Sequence, residues 1–190
     1  MTMTLWQLDL IPWYAFLLYF GVSTLRVKQT KLSEDPAKRL LHVGPMVLAA
    51  LLLFSRGLRI GPLGARFVAD KLAVQYLGIA LTFAGVAIAI WARYCLGEYW
   101  SSRVMLKVDH QIIRSGPYAY VRHPLYTGML LGMAGTALVV GEWRGVVAFL
   151  LALASFWRKA SSEEFLLSSE FGDQYAEYRR QTGFLTPRFR

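Results

Sequence analysis

The chain has 190 residues, of which 55% are hydrophobic and 17% are charged. This charged fraction lies below the quarter that is typical of soluble domains, which argues against an ordinary soluble enzyme. The formal net charge of +9 would favour nucleic-acid binding in a soluble protein, but here basic residues that flank membrane spans explain it more simply. We therefore predict an integral membrane protein in contact with a lipid bilayer and without a nucleic-acid partner.

Uncharged runs predict about five transmembrane helices. The clearest run, Ala73 to Trp91, has nineteen residues without a charge, enough to cross a hydrocarbon core of roughly 30 Å at 1.5 Å per residue. The first run lacks a preceding basic residue and a following cleavage site of the A-x-A type, so we expect a retained span rather than a secretory signal. The predicted helices lie at about 6–25, 40–56 and 72–92, followed by a helical hairpin at about 124–157.

The chain divides into two parts of different character. Residues 1–92 are predicted to form an N-terminal transmembrane scaffold of three helices. Residues 93–190 contain a connector, the apolar hairpin and a polar, partly helical C-terminal segment, and loops held by a rigid scaffold are where functional sites usually lie. Within the hairpin, Gly128 and Gly132 form a GxxxG pattern, which we expect to pack the two hairpin helices together or to serve a homodimer.

The distribution of basic residues predicts the orientation in the membrane. With the N-terminus outside, sixteen of the 21 lysines and arginines lie on the cytoplasmic side. We therefore expect the connector, the C-terminal segment and any site between them to be cytoplasmic. The fold class is all-α, a polytopic membrane bundle, and no GxGxxG sequence follows a strand, so no Rossmann domain is predicted.

The segment before the hairpin is the most unusual stretch of the sequence. Gly116 and Pro117 predict a turn, and Pro124 suits the first position of a helix, where its missing N–H costs nothing. Arg122, His123 and Tyr126 would then lie at the mouth of an apolar helix, whose free backbone donors attract an anionic group. Each residue taken singly is more often a membrane anchor, but together they favour a binding site.

Two charged pairs follow the last predicted span. Arg158 and Lys159 could anchor the helix at the membrane or hold an acidic substrate group, while the carboxylate of Glu163 could accept hydrogen bonds from a ligand. Glu164 and Tyr126 are the candidates for a general base if the acceptor needs one. The three histidines lack metal-ligand spacing, so no metal site is predicted.

The run HQIIRSGPYAYVRHPLY, from His110 to Tyr126, resembles the signature of the isoprenylcysteine carboxyl methyltransferase family. The ending that starts at Glu163 and includes Phe171-Gly172 and Tyr175 is similar to that family's E-E-x-x-L…F-G-x-x-Y-x-x-Y pattern. Tyr99-Trp100-Ser101 is similar to its N-W-S element. The resemblance covers about residues 93–190, whereas the first half matches only in being hydrophobic.

This resemblance implies a membrane methyltransferase that uses S-adenosyl-L-methionine without a Rossmann domain. Two positions depart from the family: Arg103 replaces another residue type at a cofactor position, and Lys159, with Arg158 beside it, stands where the family has a substrate-binding arginine. By position, the implied cofactor-binding residues are His110, Gln111, Ile112, Ile113, Gly116, Tyr118, Arg122, His123, Pro124, Leu125, Tyr126 and Glu163. The implied catalytic residues are Arg158, Lys159, Tyr126 and Glu164.

The acceptor is left open by the sequence. The resemblance implies O-methylation of a prenylcysteine-type carboxylate on a lipophilic or small molecule. Phospholipid N-methylation and thiol S-methylation are alternatives among enzymes, and a non-catalytic membrane scaffold or sensor is the alternative outside them.

Overall fold

The computed structural model describes residues 3–23, 30–33, 36–55, 57–97, 105–107 and 112–188. The named elements that these residues form are helices apart from one short antiparallel strand pair, in which Leu32 lies opposite Leu106. The prediction of a helical fold therefore holds, with the strand pair as an addition. The elements are α1 (Leu5–Ser23), β1 (Thr30–Ser33), α2 (Pro36–Phe54), α3 (Leu72–Leu96), β2 (Met105–Lys107), α4 (Pro124–Val140) and α5 (Trp143–Gln181), with 3-10 turns at Gly61–Gly64 and Gly116–Ala119.

Glycines bring α3 and α4 into backbone contact. A Cβ on Gly85 would lie 2.3 Å from the backbone nitrogen of Gly132, and one on Gly128 would lie 2.6 Å from the backbone nitrogen of Ala89. Such distances leave no room for a side chain, as expected for small residues at membrane helix interfaces. The GxxxG pattern thus packs α4 against α3, not against the other hairpin helix as predicted, and α5 approaches α4 instead through Gly145, next to Ala137.

A group of buried polar side chains, which no sequence pattern predicts, joins α1 to α3 and α4. Trp13 of α1 donates from Nε1 to Thr136 Oγ1 of α4 at 2.9 Å, and Thr136 Oγ1 lies 3.3 Å from Thr82 Oγ1 of α3. The carboxyl group of Asp9 is fully buried and faces both threonines. Polar contacts between apolar helices fix their register, because an unmatched polar group is costly in a non-polar surrounding.

Helix α5 is longer than the hairpin arm that the sequence predicts. It continues from Trp143 to Gln181 and changes direction at Gly172, whose φ of 48° and ψ of −121° are not helical. Glycine adopts this conformation without the steric cost that a Cβ adds. The break turns the last part of α5 back toward the start of α4, where Tyr175 and Tyr178 are buried.

Two of the described helices are long and apolar enough to cross a membrane, α1 (Leu5–Ser23) and α3 (Leu72–Leu96). Shorter apolar helical stretches lie at Val43–Phe54 and Pro124–Val140. Large hydrophobic side chains point outward from these helices, among them Leu18, which is 71% exposed. An apolar exterior of this kind is typical of a protein surrounded by lipid.

Three charged residues meet at the tip between α4 and α5, and we call them the tip cluster: Arg59, Glu142 and Arg144. Arg144 Nε donates to Glu142 Oε2 at 2.6 Å, and Arg59 Nε lies 2.9 Å from Glu142 Oε1. Arg144 Nη1 donates to the carbonyl oxygens of Leu52 at 2.7 Å and Ser55 at 2.8 Å. The tip cluster therefore fastens the end of α2 to the hairpin.

Candidate active site

The segment before α4 is folded by close contact with α3. Gly116 has a φ of 58°, and a Cβ there would lie 2.6 Å from Cys95 Sγ and 3.3 Å from Trp91 Nε1. Both facts require glycine at this position. The 3-10 turn that follows buries Pro117 and Tyr118, so the chain enters α4 from a fixed direction.

Helix α4 begins at Pro124, the start that the sequence predicts. Arg122 and His123 immediately precede it, and Tyr126 lies in its first turn. The first backbone donors of a helix have no acceptor within that helix. Arg122, His123 and Tyr126, together with these backbone donors, therefore place polar groups at the end of the apolar bundle that faces α5.

We call the residues that meet at this end the motif cluster: Arg122, His123, Tyr126, Glu163 and Glu164. Tyr126 donates its hydroxyl to Glu163 Oε1 at 2.6 Å. The Tyr126 ring stacks on His123, with centroids 5.7 Å apart, and on Phe156, at 4.9 Å. The side chain of Glu163 is still 22% exposed, so its carboxylate can accept further hydrogen bonds.

The neighbouring Glu164 points elsewhere and is held by other partners. Successive helical residues are rotated by about 100°, so Glu163 and Glu164 leave α5 in different directions. Arg122 donates from Nε to Glu164 Oε1, and Arg179 Nε lies 3.4 Å from Glu164 Oε2. Two guanidinium partners make Glu164 a poor proton acceptor, which does not favour it as a general base.

His123 lies between the two carboxylates. Its Nδ1 is 3.5 Å from Glu163 Oε2, and its Nε2 is 3.4 Å from Glu164 Oε1 but without hydrogen-bond geometry. A neutral imidazole carries one N–H, so one carboxylate would face a lone pair, whereas an imidazolium donates from both nitrogens. The geometry therefore favours the charged form of His123.

The pKa values of the three groups follow from this arrangement. Burial alone would lower the pKa of His123, but its close contacts with Glu163 and Glu164 and their negative charges outweigh burial and raise it. Burial alone would raise the pKa of Glu163, but the hydrogen bond with His123, the charge of Lys159 and the hydrogen bond from Tyr126 hold it below the usual value. The pKa of Glu164 is lowered in the same way, through His123 and Arg122.

The structure separates the two basic candidates on α5. The Nζ atom of Lys159 lies over the Tyr126 ring, 5.5 Å from its centroid, and its charge acts on Glu163. Arg158 is exposed. Lys159 is therefore the basic side chain that borders the motif cluster.

The remaining expected cofactor residues lie around this cluster or outside the described part of the chain. Ile112 and Ile113 are half-buried, and Ile113 packs on the core, while Leu125 is buried. Burial, followed by the charge of Glu163, raises the pKa of Tyr118, which keeps its phenol protonated. His110, Gln111, Arg103 and the Tyr99–Ser101 element lie outside the described residues.

The resemblance implies that the C-terminal segment encloses the cofactor, but it does not predict how the tail after α5 pairs with the segment before α4. Gly183 pairs with Val121 as a short parallel bridge, and the backbone nitrogen of His123 donates to the carbonyl oxygen of Phe184 at 3.3 Å. The Phe184 ring meets His123 edge-on, with centroids 5.2 Å apart. No spacing rule predicts this pairing, since it joins residues about sixty positions apart.

Comparison with known proteins finds a family that is similar to the middle of the chain. Residues 77–169, which include the start of α4, Lys159 and both glutamates, match the model of the isoprenylcysteine carboxyl methyltransferase family. Over these residues the chain is similar to that family. The match stops before Arg179 and the tail.

Curated relatives share the same region. The chain is 34% identical over 102 residues to the protein-S-isoprenylcysteine O-methyltransferase of Schizosaccharomyces pombe, covering 46% of this chain and 43% of that protein. It is 32% identical over 111 residues to a probable protein-S-isoprenylcysteine O-methyltransferase of Oryza sativa subsp. indica, covering 57% and 58%. It is also 32% identical over 120 residues to the cobalt-zinc-cadmium resistance protein CzcN of Cupriavidus metallidurans, covering 63% and 53%. The chain spans about half the length of the curated relatives that it matches.

Proposed function

We propose that this chain is an integral membrane methyltransferase that transfers a methyl group from S-adenosyl-L-methionine to a prenylcysteine-type carboxylate. The observation that carries the proposal is the meeting of Tyr126, Glu163 and Lys159. They come from two distant segments of the family region and place a carboxylate, a phenol and an ammonium group beside an apolar bundle.

The chemistry of the motif cluster fits the cofactor. S-adenosyl-L-methionine supplies a methyl group that its sulfonium activates. The partly exposed carboxylate of Glu163 can accept hydrogen bonds from an amine or from ribose hydroxyls. The backbone donors at the start of α4 suit a carboxylate, and buried Tyr118 adds an aromatic wall. His110 and Gln111 are expected to complete the cofactor site.

Lys159 is the residue that we assign to the acceptor. Its ammonium group can attract a carboxylate, and the adjacent ring of Tyr126 limits where that carboxylate can lie. A carboxylate is already deprotonated at neutral pH, so this reaction needs alignment rather than a general base. An amine or thiol would have to lose a proton, and Glu164 is badly placed to take it because Arg122 and Arg179 hold it.

The membrane part of the proposal rests on α1 and α3, whose length and composition suit a bilayer. We propose that α2, α4 and the first half of α5 also cross it, with the N-terminus outside and the motif cluster at the cytoplasmic end. A lipophilic acceptor would then reach Lys159 from the bilayer, while the polar cofactor arrives from the cytoplasm.

The proposal is tested by labelled methyl transfer with the purified full chain in lipid nanodiscs. The acceptors are a prenylcysteine analogue, phosphatidylethanolamine and a small thiol. Transfer to the prenylcysteine analogue alone supports the proposal. Transfer to one of the others would replace the acceptor assignment, and failure to bind S-adenosyl-L-methionine would refute the methyltransferase itself.

A matched pair of variants tests the acceptor role. Lys159→Gln should raise the KM for the carboxylate acceptor by about tenfold, the expected effect of losing one charge-assisted contact. Arg158→Gln changes the same charge one residue away, on an exposed side chain, and should leave that KM unchanged. Equal effects of the two variants would mean that Lys159 acts only through net charge.

A further inference from the structure

Three separate pieces of the chain are tied together by Arg122. Its Nε donates to Glu164 in the first part of α5, and its Nη1 donates to the carbonyl oxygens of Thr182, at 2.5 Å, and Arg179, at 3.3 Å, after the break at Gly172. Arg179 returns to Glu164 Oε2 at 3.4 Å. We call Arg122, Glu164 and Arg179 the clasp.

The clasp lies where the tail docks on the segment before α4. The backbone nitrogen of Arg122 donates to the carbonyl oxygen of Gly183 at 2.9 Å. The backbone nitrogen of Gly183 in turn donates to the carbonyl oxygen of Tyr120 at 3.0 Å. Tyr178 donates its hydroxyl to the carbonyl oxygen of Tyr118 at 2.8 Å. Around these neutral bonds, the clasp supplies the charge-assisted ones, which are about twice as strong.

Loss of a charged bond in the clasp should be costly in energy because two of its side chains are buried. The side chains of Arg122 and Glu164 are only 9% and 10% exposed, whereas that of Arg179 is 53% exposed. Removing one partner of a buried ion pair leaves the other charge uncompensated, which is the costly case. The arm through Arg179 faces solvent and should contribute less.

We propose that the clasp is a positioning device that holds residues 173–188 closed over the motif cluster. Glu164 keeps the tail in place, whereas Glu163, one residue earlier, has a partly exposed carboxylate that can bind a ligand. Arg122 and Glu164 are then positioning residues that act through His123 and Phe184, not groups that touch the cofactor or the acceptor. The role assigned to the closed tail rests on the proposed function, since retention of S-adenosyl-L-methionine is what closure would serve.

Hydrogen exchange of the full chain in nanodiscs tests the closure itself, without any ligand. Glu164→Gln and Arg122→Lys should speed amide exchange in 173–188 and leave α4 as in the wild type. Arg179→Gln, a change on an exposed arm that will not unfold the bundle, should do the same to a smaller extent. The control is Arg180→Gln, which removes an exposed ion pair with Glu177 on the same helix and should change little.

Binding and turnover separate positioning from catalysis. In Glu164→Gln, S-adenosyl-L-methionine should bind about tenfold more weakly through faster dissociation, the expected cost of losing a charge-assisted bond. The kcat at saturating cofactor should stay close to that of the wild type. A kcat lost at unchanged affinity would place Glu164 in the chemistry and overturn the proposal.

The exchange result decides the clasp independently of the proposed function. If the wild-type chain does not bind S-adenosyl-L-methionine, the methyltransferase proposal fails, and the exchange of 173–188 still reports whether Arg122 and Glu164 hold the tail. Wild-type exchange in both Glu164→Gln and Arg122→Lys would refute the clasp even in an active enzyme.

Discussion

The two ends of the hairpin formed by α4 and α5 each bury a carboxylate among arginines, but among the described residues only one end has a neighbouring glutamate that stays partly exposed. At the tip cluster, Glu142 has both oxygens paired to Arg59 and Arg144, and its side chain is 4% exposed. In the motif cluster, Glu164 is paired in the same way, but Glu163 beside it keeps a partly exposed carboxylate. A buried acidic residue therefore indicates a site only when some of its hydrogen-bonding capacity is left over.

The largest effect on methyl transfer is expected from a change at Glu163, the partly exposed carboxylate of the motif cluster. Glu163→Ala removes the acceptor of the Tyr126 hydroxyl and the ligand-facing carboxylate, so methyl transfer should fall by about a hundredfold, the upper range for a lost charged hydrogen bond. The thermal stability should fall by less than in Glu142→Ala, because the side chain of Glu163 is partly exposed whereas that of Glu142 is 4% exposed. Full activity in this variant would remove Glu163 from the cofactor site.

A change at Glu142 should lower the stability of the protein and leave its cofactor affinity unchanged. Glu142→Ala leaves the buried guanidinium of Arg144 without its carboxylate and should lower the free energy of unfolding by about 3 kcal/mol. Affinity for S-adenosyl-L-methionine should stay unchanged below the melting temperature, as measured by calorimetry. Arg59→Ala is the control, because its side chain is 69% exposed and should contribute less than about 1 kcal/mol.

Tyr126→Phe sharpens the contrast within the motif cluster. The variant keeps the stacking on His123 and Phe156 and removes only the hydroxyl that orients Glu163. Cofactor affinity should fall by about tenfold or less, with little change in melting temperature. A variant as inactive as Glu163→Ala would instead assign the hydroxyl a direct role in transfer.

The smallest expected effect depends on pH. The pKa of His123 is raised above 6.5 in the folded protein, so its contribution to stability is complete below pH 6.5 and is lost as the pH rises through the raised value. The pKa values of Glu163 and Glu164 are lowered below 4.5, so their contributions hold above that pH and are lost on acidification. The melting temperature of the wild type should therefore fall relative to His123→Gln as the pH rises above 6.5, and parallel curves would contradict a charged His123.

The sequence predicted those structural features that depend on residues close together in the chain. The uncharged run from Ala73 gave α3, and Pro124 gave the start of α4, because hydrophobic length and the missing N–H of proline act within a few residues. Glu163 and Tyr126 were named from their motifs, and their contact in the structure is consistent with that choice.

Contacts between distant residues could not be predicted in this way. The GxxxG pattern marks a close approach but does not name the partner helix, so it predicts packing of Gly128 on α5, whereas Gly128 packs on α3. Gly172 was noted as part of a motif, yet its positive φ is visible only in the backbone. Asp9 lies among hydroxyl groups of two other helices, an environment that exists only after the bundle has formed.

The docking of the tail on the segment before α4 has a consequence for the order of assembly. Residues 118–123 leave the ribosome about sixty residues before their partners at 178–184. During that interval, at roughly 5–20 residues per second, the nascent chain carries the segment before α4 without the tail that docks on it. The apolar helices therefore emerge first, and the contacts of the tail with the segment before α4 form only after residue 184 has left the ribosome.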